Sequence, residues 1–270
     1  MTSGFPGPET VRAVLTMATQ APSVCNSQPW HWRVGADSLH LYADPGRNRP
    51  GSDSAGRDLL VSCGAALHHC TVALAAMGWR AAVRRLPDPA YPYHLAAVTV
   101  EAQIPGDLDV TLAAAVARRH TDRRAFGSWP VPWGDIALMG ARAARAGVML
   151  RQVDLAAGLG ADIGDNGVVL ALGTENDDGL ARLRAGEATS LVLLSATAMG
   201  LATCPVTEPL ESPETRQAVR ADVFGAAGFP QMLMRMGWPP VGAGPLPATP
   251  RRPIHEVADW SHDGVLATNP

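Results

Sequence analysis

Two stretches of this chain are apolar on nearly every side and similar in length: "GRDLLVSCGAALHHCTVALAAMGW" at 56–79 and "DDGLARLRAGEATSLVLLSATAMG" at 177–200. A helix with no polar face belongs in the middle of a fold. Both stretches are rich in small residues, both close on a glycine, and each is followed later by a strand-like segment, "YHLAAVTV" or "QMLMRMGW". Helix, loop, strand, long buried helix, strand runs through the chain twice in the same order. The residue-by-residue match is weak. The order nevertheless predicts a single domain over 1–270, built from two pseudo-repeats at about 8–105 and 106–240 with a C-terminal arm at 241–270. The expected fold is α+β: a mixed, mostly antiparallel sheet flanked by helices, a fused pseudo-dimer with the two long helices at its centre.

Composition removes several function classes. Apolar residues make up 47% and charged residues 17%, which is the balance of a globular chain. A net charge of −3 leaves no basic footprint for nucleic acid. All 22 basic residues are arginine, so any anion site must use guanidinium forks or backbone amides. Cys25, Cys63, Cys70 and Cys204 show no CxxC spacing, and no signal peptide is evident, so a reduced, cytoplasmic setting is expected. Cys63, His68, His69 and Cys70 lie close together, but Cys63 and His69 point to different faces of one apolar helix, and no metal is expected. No apolar run reads as a convincing membrane span.

Local patterns fill in the rest. A helix opens at Pro8 with Val11, Val14, Leu15 and Ala18 on one face. "WHWRV" and "LHLYA" alternate as strands, and Asp53 or Ser54 is placed to cap the first long helix. "WRAAVRRL", "VMLRQV" and "GVVLALGTEND" read as strands, and "LDVTLAAAVARR", "WGDIALMGARAARAG" and "ESPETRQAVRADV" as helices. Met232, Met234 and Met236 share one strand face and are assigned to the core. The proline-rich arm "PPVGAGPLPATPRRPIHEV" has no periodicity and must lie on something rather than fold alone.

Four segments carry more polar chemistry than packing requires. "PSVCNSQPW" at 22–30 supplies donors and acceptors suited to a ligand edge, or to a turn that bonds its own backbone. "RRHTDRR" at 118–124 is an anion grip or a solvated loop. "TPRRP" at 249–253 is an anion grip with two arginines on a stiff arm, or a disordered tail, the reading that composition alone favours. "LATCPVT" at 201–207 offers backbone amides to a ligand, or is an ordinary connecting strand. No P-loop, GxGxxG or serine–histidine–acid pattern is present, so in an enzyme a cofactor must carry the reaction.

These four segments, in this order, resemble the nitroreductase superfamily of FMN proteins. "APSVCNSQPW" is similar to that family's PSxxNxQPW loop, "RRHTDRRAF" to its RRSxR-type phosphate motif, "GLATCPVT" to its GLGSCPI-type segment and "PRRP" to its C-terminal basic pair. The likeness is strongest to the actinobacterial, Acg-like branch of NAD(P)H nitroreductases, in which one chain imitates a dimer. The resemblance implies that Arg119, Thr121, Arg251 and Arg252 hold the FMN phosphate. It puts Arg123 near the pyrimidine edge, Ser23, Asn26 and Gln28 on the ring, and Pro205, Val206 and Thr207 along it. Trp30 anchors the loop, and Cys25 is either an inert buried thiol, the favoured reading, or lies against the flavin. No side chain is expected to be catalytic. The implied activity is an FMN-dependent oxidoreductase that passes hydride from NAD(P)H through flavin N5 to a nitroaromatic, a quinone or a similar small acceptor. The alternatives are a protein that stores or sequesters FMN with little turnover, and a structural module without flavin. The chain is expected to be a monomer imitating a dimer, or a weak homodimer. Its connection from Asp154 to Gly167 is short for the Acg-like branch, whose longer chains carry a covering segment over the flavin.

Overall fold

The computed structural model describes residues 4–48, 56–153 and 167–260. Its centre is a pair of twenty-residue helices, α2 (Arg57–Ala76) and α5 (Gly179–Ala198). They cross at Gly64 and Gly186, each the eighth residue of its helix. A Cβ on Gly64 would lie 2.1 Å from the Leu183 carbonyl oxygen, and one on Gly186 would lie 2.1 Å from that of Val61. Backbone touches backbone here, and only a hydrogen on each Cα fits. One turn further on, His68 Nδ1 meets Ser190 Oγ at 2.8 Å, again joining the same position of each helix. By length and composition α2 could cross a membrane, but 72% of its apolar window is buried inside this fold. The expected caps Asp53 and Ser54 lie outside the described residues; the position before Arg57 is Gly56, at φ 66°. Asp178 caps α5 by accepting from the Ala181 N–H at 2.8 Å.

The remaining elements form one set around each central helix. Helix α1 (Pro8–Ala18) and the hairpin β1 (Trp30–Val34) and β2 (Leu39–Ala43) precede α2; β3 (Trp79–Arg85) and β4 (His94–Ala102) follow it. After α3 (Asp107–Val116), helix α4 (Trp133–Arg145) and the hairpin β5 (Met149–Val153) and β6 (Val168–Thr174) precede α5. Strand β7 (Ala202–Val206), helix α6 (Pro213–Val219) and strand β8 (Phe229–Gly237) follow it. The single expected sheet is instead two, of order β3-β4-β2-β1-β9 and β5-β6-β8-β7. Leaving out β9, both run in the same sequence of roles, outer hairpin strands included. Two sheets form because each half packs its own core. Trp30, Trp32, Leu39 and Leu41 belong to one, and Leu170, Leu172, Met232, Met234 and Met236 to the other. The central helices exchange one residue each: Leu183 of α5 packs into the first core and Val61 of α2 into the second.

The helices and strands read from hydrophobic period sit where expected, including the buried methionine face of β8. Strand β9 (Ala258–Trp260), after the short helix α7 (Ile254–Val257), was not foreseen. It lies parallel to β1, with Trp32 opposite Ala258 and Val34 opposite Trp260. The arm therefore leaves the second half and docks on the edge of the first. Its three residues are too few to show a period. Cys63 and the two histidines of α2 are used in packing: Cys63 Sγ donates to the Pro29 carbonyl, and His69 Nδ1 faces that of Met17 at 3.4 Å. No group of three or more potential metal ligands occurs among the described residues.

Two outcomes follow from the crossing. Gly64→Ala forces the helices apart and is expected to cost about 1–3 kcal/mol in urea denaturation. Gly140→Ala, with open space at its Cβ, is expected to gain about 0.5–1 kcal/mol. Burial holds the His68 imidazole down to about 4 from its ordinary 6.5. Between those values the unfolded chain takes a proton that the folded site refuses, so stability falls as pH drops through the window. His68→Gln is expected to flatten that part of a plot of urea midpoint against pH.

Candidate functional site

The loop after α1 takes an unusual path. Cys25, Asn26 and Gln28 all have positive φ (52°, 54° and 49°), a region that costs a non-glycine residue about 1–2 kcal/mol. Several bonds hold it there. Ser23 Oγ accepts from the Gln28 N–H at 2.9 Å, and the Ser23 carbonyl accepts from the Asn26 N–H. Asn26 Nδ2 donates to the Pro250 carbonyl at 3.0 Å, and its Oδ1 accepts from Arg251 Nη1 at 3.1 Å. Gln28 Oε1 accepts from the Arg252 N–H at 2.9 Å. Trp30, wholly buried, fixes the loop's exit. The amides of Asn26 and Gln28 thus grip the arginine arm, and Ser23 closes the turn.

The other side of the loop, Pro22 to Cys25, lines a cavity of about 360 Å³. Ser62 and Ala65 of α2 and Thr189 of α5 also line it, and their small side chains leave its volume open. Thr121 and Arg123 line it from the basic loop, and Cys204, Pro205, Val206 and Thr207 from β7 and its exit. The basic loop is seated on β7 by the Asp122 N–H, which donates to the Thr203 carbonyl at 2.8 Å, and by a parallel bridge between Thr121 and Thr203. Arg124 clamps it further, with Nη2 2.7 Å from Asp122 Oδ2 and Nη1 donating to the Gly244 carbonyl. Both halves are needed to enclose the space.

Beside Thr121 the chain buries positive charge. Arg119 is 6% exposed; its Nη2 donates to the Gln20 carbonyl at 3.2 Å, and Arg251 Nη2 donates to the same oxygen at 3.1 Å. Arg119 Nε and Nη1 and Arg251 Nε are buried with no hydrogen-bond partner among the described residues. Burial, and then the neighbouring Arg251, pull Arg119 down to about 10, so it remains charged at neutral pH. His69 next to them is held well below its ordinary value by burial first and Arg119 second, so it stays neutral. A buried guanidinium and a half-buried one with idle donors are unfavourable alone, and an oxyanion would satisfy them.

The structure gathers the four predicted segments into one place. Arg119, Thr121, Arg251 and the loop adjoin, and Thr121, Arg123, Pro205, Val206 and Thr207 reach the cavity. Arg252 is committed elsewhere: Nη2 donates to the Glu256 carbonyl at 2.7 Å and Nε faces Glu256 Oε2 at 3.3 Å. Cys25 is exposed on the cavity rim instead of buried, because its left-handed backbone turns it out of the loop's packed side. Ser62, Thr189, Glu208 and Arg235 also line the cavity and were not singled out from sequence. For three of them a signal existed: hydroxyls inside apolar helices, and an arginine inside the methionine strand, its guanidinium stacked 4.7 Å from the Phe126 ring centre. The short connection at 154–166 lies outside the described residues.

Comparison with known proteins converges on one family. A model described as the nitroreductase family matches residues 6–238. A Mycobacterium tuberculosis protein provisionally named NAD(P)H nitroreductase Rv3131 is 49% identical over 326 aligned positions, covering 97% of this chain and 95% of the relative. The M. tuberculosis protein provisionally named NAD(P)H nitroreductase acg is 31% identical, covering 92% of this chain and 95% of its own. Since 326 aligned positions exceed the 270 residues of this chain, the first relative carries several tens of residues with no counterpart here. A crystal structure of a provisionally named nitroreductase from Anabaena variabilis shares the fold, with a TM-score of 0.61 at 9% identity over 86% of this chain and 88% of that one.

The buried arginines generate one prediction. Arg119→Met removes an unpaired buried charge and is expected to raise the ligand-free protein's unfolding free energy by about 1 kcal/mol or more. The same variant is expected to lose stabilisation by phosphate-bearing ligands, read as the shift in thermal midpoint on adding them.

Proposed function

The chain belongs to the nitroreductase family, and on that premise we propose that it is an FMN-dependent oxidoreductase that takes electrons from NADH or NADPH and passes them to a small acceptor such as a nitroaromatic or a quinone. The observation that carries the reading is the pair Arg119, buried, and Arg251, half-buried, which converge on the Gln20 carbonyl, two residues before the cavity wall at Pro22, and hold idle buried donors. That is the environment a phosphate dianion satisfies. FMN, when bound, supplies the two-electron chemistry, which no residue of the cavity can supply alone.

The residues then have separable tasks. Arg119 and Arg251 hold the phosphate, with the Thr121 hydroxyl placed to add a third contact. Pro22 to Cys25 and Pro205 to Thr207, one segment from each half of the chain, line the space that would take a planar ring. Arg123, exposed at the rim, puts positive charge where electron density accumulates on a reduced ring. Asn26 and Gln28 act one step back, by holding the arm that carries Arg251. We further propose that the halves at about 8–105 and 106–240 are fused copies of one ancestral chain and form a single complete site. Only the first has the amide loop and only the second the arginine loop. Catalysis is favoured over storage because Cys25, Arg123 and Glu208 on the rim are exposed, which leaves approach for a second molecule. The chain's shortness against its relative supports the same view.

Visible spectra of the purified protein, taken with added FMN and then with NADPH and an acceptor under anaerobic conditions, test the proposal. Bleaching by NADPH and recovery with the acceptor support it. Tight FMN without bleaching makes this a storage protein, and no FMN binding overturns the reading. Arg251→Ala is expected to weaken FMN at least about tenfold more than it weakens riboflavin, the loss of one charge-assisted phosphate contact. Fluorescence titration of both ligands reads the difference.

A further inference from the structure

The two halves present equivalent positions around their central helices, and this equivalence locates a second pocket. In the first cavity, Ser62 and Ala65 are the sixth and ninth residues of α2, and Thr207 is the eighth residue after Met199, which caps α5. A second pocket, also about 360 Å³, is lined by Arg184 and Glu187, the sixth and ninth residues of α5. Its third wall is Arg85, the eighth residue after Met77, which caps α2. Its fourth is Arg145 to Gly147, on the path from α4 to β5, as Pro22 to Cys25 lie on the path from α1 to β1. The pocket is the positional mate of the first, across the Gly64–Gly186 crossing.

Its chemistry has changed. Where the first cavity has Ala65 and Thr207, the second has Glu187 and Arg85, joined by two bonds of 2.6 Å from Nε and Nη2. This bridge occupies the space that a planar ring needs, and the connection from α4 to β5 is too short to supply a second wall for it. The cations exceed the acid: Glu187 is committed to Arg85, and Arg145 and Arg184, both exposed, have no ion-pair partner among the described residues. Two guanidinium forks on one concave surface, with no carboxylate left to answer them, select a compact oxyanion.

We infer that this second pocket binds a phosphate dianion, free or as the monoester of a small molecule, through Arg145 and Arg184, and that it does not accept a flavin. The inference stands on the repeat geometry and does not depend on the cofactor assigned to the first cavity. Isothermal titration of the protein with inorganic phosphate and, separately, with a sugar phosphate tests it. The variants are Arg145→Ala/Arg184→Ala, exposed positions whose loss leaves the Arg85–Glu187 bridge intact, and Arg119→Met as the control for the first site. Saturable binding that weakens about tenfold or more in the double variant and persists in Arg119→Met is the expected result. A sugar phosphate binding more tightly than inorganic phosphate identifies an ester ligand, and equal binding identifies the free anion. Absence of saturable phosphate binding overturns the inference. So does binding that survives in the double variant and vanishes in Arg119→Met.

Discussion

Backbone contact between α2 and α5 is the constraint on which the rest of the structure rests. With no side chain at Gly64 or Gly186, the helices approach until a Cβ would strike a carbonyl oxygen. That approach brings Ser62 and Ala65 within reach of Thr189 and sets the distance between the walls of the first cavity. It also makes each half dependent on the other, since Val61 and Leu183 complete cores that are not their own. A wider crossing changes the cavity even if every wall residue is kept.

The site stores cost in two places. Three residues within four positions adopt positive φ without being glycine, and Arg119 and the half-buried Arg251 keep buried donors with no partner among the described residues. The two costs are coupled. The loop is held by Asn26 and Gln28 against the arm, and the arm brings Arg251 to Arg119. An oxyanion that satisfied the arginines would therefore also stabilise the strained loop. Loss of the arm's contacts would release both costs together.

Much of this was legible in the sequence, for physical reasons that also explain the gaps. Long apolar helices and alternating strands announce themselves through period, and α2, α5, β1, β2 and β8 sit where the pattern puts them. The arginines of 118–124 and 251–252 were visible as charge, but sequence cannot tell a buried guanidinium from a solvated one. Arg119 and Arg251 turn inward while Arg252 is spent on Glu256. The amides of the loop were visible as hydrogen-bonding capacity, yet their partners lie more than two hundred residues away, beyond any local rule. Strand β9 was hidden because three residues joined to a distant edge carry no period.

Pairing Asn26 with Arg251 and β1 with β9 has a consequence for biosynthesis. The amide loop leaves the ribosome early and has no partners for Asn26 and Gln28 until residue 252 and the strand after it have emerged. The first half can collapse around its own tryptophans in the meantime, but its sheet edge stays uncovered and Arg119 lacks its neighbour Arg251. Closure of the clasp around Asn26 and Gln28 thereby waits on residues made more than two hundred positions later, so a polypeptide halted midway lacks it.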